Sequence, residues 1–170
     1  KTLFSEGVRA YDRVSKQYPF LTYKQASIKP SIFASIGHYF GFTGYYNPFS
    51  GEAQLKTSVP VFIKPFVVCH EIGHQLGYAK ENEANFSSFL AGRASENVEF
   101  RYSVYYDMYS YAIGELLFYN VSCVIDLRKS EHPQIKHDRR TFIQYLSRHK
   151  NNIEPFMSGV YDRYLRLNNQ

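Results

Sequence analysis

The sequence predicts a predominantly helical α+β domain carrying a small sheet or an edge strand. Two observations point to the fold class. Apolar residues recur at helical spacing over most of the chain, with Pro or Gly marking the ends of each run. The stretch from Gly41 to Pro60 breaks that pattern with dense Gly, Tyr, Asn and Pro, followed by weak alternation. A third observation sets the scale. A chain of 170 residues, 44% hydrophobic and 18% aromatic, is long and apolar enough for one domain with its own core.

Residues 3 to 18 form an amphipathic helix on Leu3, Val8, Tyr11, Val14 and Tyr18, stopped by Pro19. Lys29-Pro30-Ser31 opens a second helix, with Ile32, Phe33, Ile36 and Phe40 on its apolar face. His38, near the end of that helix, reads as a surface or packing residue. Gly41 to Gly51 is an irregular loop with turns at Asn47-Pro48 and Ser50-Gly51. Glu52 to Val59 reads as a strand bounded by Pro60, hence at a sheet edge, where an extended peptide could pair with it. An ordinary hairpin strand is the alternative. Pro65 sits in the first turn of a helix over about residues 64 to 76. A further helix follows, from Ala79 to about Ser95. Glu96 to Leu127 is a long helix or a helix pair, rich in tyrosine. Pro133 starts another helix, and residues 153 to 167 form the last.

The chemistry is concentrated in His70-Glu71-Ile72-Gly73-His74. Histidines four apart on a helix share a face and can present two imidazoles to one metal, with the Glu beside them able to reach a bound water. A catalytic zinc needs a third protein ligand and one open position. Gly77 suits the residue just past the helix end, where φ > 0 is wanted. On the following helix Glu81, Asn85 and Ser88 share one face, which selects Glu81 as the third ligand. Asn85 would then bond a ligand histidine and fix its tautomer. Glu83 points elsewhere on the helix and is the reserve ligand. The plainer alternative is an exposed helix face with two solvated histidines.

The same residues resemble a known family. His70-Glu71-x-x-His74 with Glu81-x-x-Ala84-Asn85 is similar to the gluzincin metallopeptidases, whose third ligand lies in a Glu-x-x-Ala-(Asp or Asn) helix. Three stretches resemble DUF3810, a bacterial family with this motif: Ile28 to Ser31, Gly41 to Ala53, and Cys69 through Phe86. The likeness runs from about residue 28 to 110 and less clearly to the end. It implies a zincin-like domain over residues 1 to 170, and membrane-spanning helices upstream, so a membrane-associated protein of the bacterial envelope. The chain opens at Lys1 without Met and reads as a piece of a longer protein. Two departures from many gluzincins are the short gap from His74 to Glu81, which keeps Glu83 in play, and Asn85 where many have Asp.

The expected activity is zinc-dependent hydrolysis of peptide bonds. His70, His74 and Glu81 would hold Zn2+, Glu71 would be the general base, and the substrate would be a peptide or protein. An oxyanion donor is also needed; Tyr102, Tyr106 and Arg101 are candidates, although tyrosines at helical spacing more often pack. A zinc domain that binds a partner without cleaving it, and a small-molecule hydrolase, are the other readings. The net charge of +5 is spread along the chain, which argues against nucleic-acid binding. Oligomeric state is not legible. Cys69 and Cys123 read as packing residues, and they could form at most one disulfide. His132, His137 and His149 lack metal-ligand spacing and read as solvated.

Overall fold

The computed structural model describes residues 2–23, 28–30, 44–47, 52–55 and 59–149. Thr2 caps the first helix, α1 (Leu3–Ser15), by accepting from the Ser5 amide, and a single 3₁₀ turn at Pro19–Leu21 follows it. The helices α2 (Lys64–Gln75), α3 (Glu81–Ala94), α4 (Val98–Tyr119), α5 (Val121–Ser130) and α6 (Pro133–His149) complete the helical body among the described residues. The expected long helix or pair is a pair. It breaks at Asn120, whose side chain accepts from the Cys123 amide and so starts α5.

The expected α+β class with an edge strand is corrected. Three strands, β1 (Ile28–Pro30), β2 (Gly44–Asn47) and β3 (Glu52–Leu55), are three or four residues each, so the described residues are predominantly helical. The zincin-like architecture with an edge strand does not describe them. The segment expected at the edge, β3, is the central strand: it pairs in parallel with β1 and antiparallel with β2. Its backbone is used on both sides, so a peptide cannot add a strand there. Pro30, expected to open a helix, ends edge strand β1, a position that tolerates a missing N–H. Residues 44–47, expected in an irregular loop, form β2. Segments this short show too little alternation to be read against their turn-forming neighbours. Residues 31 to 43, including the rest of the expected second helix and His38, lie outside the described residues, as do residues 56 to 58 and the expected helix over 153 to 167.

The core lies where α1, α2, α3 and α4 meet. Tyr11 is fully buried there; its hydroxyl donates to the Cys69 carbonyl (2.8 Å) and lies 3.2 Å from Ser87 Oγ. One α1 side chain thus clamps α2, immediately before His70, to α3. Val68, Cys69 and Ile72 of α2 and Val104 of α4 are inaccessible to solvent. Both cysteines are free thiols, and Cys69 packs in the core as expected.

Helix α2 has no side-chain cap of its own at Ile63. The Phe66 amide, one of the donors left over in its first turn, is instead accepted by Ser103 Oγ of α4 (2.9 Å). Ser88 Oγ of α3 donates to the Phe66 carbonyl (3.0 Å). Ser88 therefore faces the start of α2 while Glu81, two turns earlier, faces its end: α2 and α3 run antiparallel. No helix of the described residues is long and apolar enough to cross a membrane.

Candidate metal centre

Helix α2 ends in a hairpin that shapes one side of the site. The Tyr78 amide donates to the Gly73 carbonyl (3.2 Å) and the Gly77 amide to that of His74 (3.0 Å), with Gly77 at φ 103°. This is the helix-terminating turn that Gly77 predicts. It carries the Tyr78 carbonyl back over the last turn, where it lies 2.7 Å from His74 Nδ1. A carbonyl only accepts, so Nδ1 carries the proton and Nε2 is left as the ligating atom. Sequence reasoning assigned this task to Asn85. Asn85 is half-buried and makes no hydrogen bond among the described residues. A turn carbonyl does the work instead, and nothing in residue type announces it.

Three expected ligands converge. His70 Nε2 is 3.3 Å from one carboxylate oxygen of Glu81, and His74 Nε2 is 3.5 Å from the other. The imidazole rings stand nearly perpendicular, centroids 4.5 Å apart, and Phe66 lies against His70 at 5.8 Å. One donor atom from each of His70, His74 and Glu81 falls within 4.8 Å of the others. That spread suits a single ion, and two imidazoles with one carboxylate are a zinc donor set. Glu83, on the same first turn, lies 3.9 Å from Lys80 and is not drawn to the histidines.

The electrostatics follow from the crowding. Hydrogen bonds to His70 and His74 hold the Glu81 carboxyl well below the usual carboxylate range. Burial lowers the basicity of His74, but its bonds to Glu81 and Tyr78 outweigh that, and the net shift is upward. Glu71 is only 3% exposed, and its Oε2 has no hydrogen-bond partner. Burial pushes its carboxyl up to about 7, against the pull of the two histidines. The three ligand groups turn their donor atoms toward one point, within 4.8 Å of one another. Glu71 is a fourth group, buried beside them and unspent.

Neither tyrosine candidate makes a contact with this cluster among the described residues. Tyr102 donates to Asp138 of α6 (2.5 Å). Tyr106 is buried edge-on to Phe62, its centroid 5.1 Å away. Arg101 donates to the carbonyls of Ser95 and Glu96, closing the end of α3. The residue of α4 that meets α2 is Ser103, and Asp107 follows it four residues on, on the same helix face.

Fold and site together define a helical domain with a two-histidine, one-glutamate cluster on neighbouring antiparallel helices. The model of a family described as a protein of unknown function, DUF3810, matches residues 1–170, and the chain belongs to that family. The match extends on both sides of the segment where the resemblance is clearest. No curated protein and no solved structure matches the chain.

Proposed function

We propose that this protein is a zinc-dependent peptidase. His70, His74 and Glu81 would hold the metal, and Glu71 would move the proton. The observation that carries the reading is the pairing of the converging His70–His74–Glu81 donors with a buried, unpartnered carboxylate at Glu71. The ligand set is the one the gluzincin resemblance implies. When bound, zinc supplies Lewis-acid polarisation of a carbonyl and of water.

The chain's own residues account for the remaining tasks. The Tyr78 carbonyl fixes the His74 tautomer. Glu71 takes a proton from the attacking water and passes it to the leaving amine, a shuttle that requires a carboxylate free of other bonds. Glu71 is buried and its Oε2 is not taken by another protein group, which leaves that oxygen for the water. Glu81 is 71% exposed, which opens the cluster to the surface on the α3 side and favours a chain-like substrate over an enclosed small molecule.

The test uses wild type and Glu71→Gln with a peptide library read by mass spectrometry, alongside elemental analysis. Wild type should hold about one zinc per chain and cleave, as a site with three protein ligands and an open position does. Glu71→Gln should keep the metal and lose about 10²- to 10⁴-fold in rate, the range of general acid–base catalysis. Equal cleavage by both would exclude Glu71 as base. Zinc held without cleavage of any library member would reduce the reading to a metal-binding domain.

A further inference from the structure

His70 and His74 do not stand on equal terms. His74 Nδ1 has the Tyr78 carbonyl, whereas His70 Nδ1 is buried with no hydrogen-bond partner. A buried ring N–H left unbonded costs about 1–3 kcal/mol, so such groups normally find an acceptor. For a metal-ligating histidine that acceptor also orients the ring.

The facing helix offers one. Ser103 Oγ accepts the Phe66 amide where α4 meets α2. His70 lies one turn beyond Phe66, and Asp107 lies one turn beyond Ser103 on the same face of α4. Asp107 is half-buried and makes no hydrogen bond among the described residues. Other groups are committed elsewhere: Tyr102 donates to Asp138 of α6, and Arg101 closes α3.

We propose that Asp107 is the positioning residue for His70: it accepts the Nδ1–H, directly or through one water, and so turns Nε2 toward Glu81. The inference deepens the zinc reading and rests on it for its purpose, but not for its geometry. With it, each histidine ligand is held by a different device. His74 is held by a backbone carbonyl from a turn, and His70 by a carboxylate from the next helix. A negative charge behind His70 also strengthens that nitrogen as a ligand, which a carbonyl does less well.

Two readouts test it. The first is ¹⁵N NMR of the His70 ring in the zinc-free protein at pH 8. Wild type should show the Nδ1–H tautomer, and Asp107→Ala should shift it toward Nε2–H. The second is zinc affinity by competition with a chelator. Asp107→Ala should weaken it by about 10- to 100-fold, the usual cost of losing an orienting partner, and Asp107→Glu should recover part of the loss. Asp107→Asn keeps an acceptor oxygen but not the charge, and covers the case in which the alanine variant does not fold. It should keep the tautomer and bind zinc several-fold more weakly. An unchanged His70 tautomer in Asp107→Ala, wild-type affinity in Asp107→Asn, or a tautomer shift produced by Asn85→Ala instead would each overturn the assignment. If wild type binds no zinc, the peptidase reading falls, while the NMR result still decides Asp107.

Discussion

Glu81 and Glu83 sit two residues apart in the first turn of α3 and do different things. A step of two residues along a helix rotates a side chain by about 200°, so only one of them can face α2. Glu81 faces it and meets both imidazoles; Glu83 approaches Lys80. The expected consequence is a clean split. Glu81→Ala should weaken zinc binding by more than about 100-fold, beyond what an orienting partner costs, whereas Glu83→Ala should leave it within about twofold. Chelator competition on both variants decides it, and the reverse order would make Glu83 the ligand.

At the scale of elements, the site depends on two glycines at the end of α2, for different reasons. Gly77 has open space where a Cβ would go, but its φ of 103° is strained for any L side chain. Gly77→Ala should cost about 1–2 kcal/mol through the backbone alone, and it would move the Tyr78 carbonyl off His74. Gly73 has ordinary helical geometry but no room: a Cβ would fall 2.4 Å from Ser87 Oγ and 3.3 Å from Ala84 Cα. Ser87 already donates to the Ala84 carbonyl and touches Tyr11, so it cannot yield without losing those contacts. Gly73→Ala should therefore lose about 1–3 kcal/mol to overpacking, despite alanine's helix propensity. It should also weaken zinc binding, because the α2–α3 spacing sets how far Glu81 stands from the histidines. Urea denaturation and zinc competition measure the two effects separately.

Over the whole molecule, Glu6 joins the beginning of the chain to the α3–α4 turn. Its buried carboxylate accepts from Arg9 (2.6 Å), Arg13 (3.2 Å) and Ser95 Oγ (2.8 Å), and Arg13 continues to Glu96 (3.0 Å). Burial alone would raise the Glu6 carboxyl, but these bonds outweigh it and hold it below its ordinary value of 4.5. The sign of the linkage follows. A carboxyl with a depressed folded-state pKa contributes stability that is complete above the unfolded value and lost as pH falls through the folded one. Glu6→Gln should thus destabilise at neutral pH by about 1.5–3 kcal/mol, the range for hydrogen bonds to charged groups. The difference from wild type should shrink below pH 4.5. A gap that stays constant from pH 7 to 3 in urea titrations would show that Glu6 acts by packing and not by charge.

What the sequence determined by itself was whatever depends on neighbours along the chain. The i, i+4 spacing of His70 and His74, the helix stop at Gly77 and the shared face of Glu81 and Ser88 are local facts, and α2 and α3 lie where they point. Pro133 marks a helix start for the same reason, since first turns are chemistry within four residues. The remaining features rest on residues distant in sequence. The strand at Glu52–Leu55 became central because Ile28–Pro30 and Gly44–Asn47 pair with it, and strands of three or four residues carry too little period to read. Tyr78 reaches His74 through a backbone carbonyl that is the same for every residue type. Tyr102 turned to Asp138 of α6, while Ser103, one residue on, meets α2 at the Phe66 amide. Helical spacing places side chains around an axis, but only the packing of one helix on another chooses which of them a metal site can use.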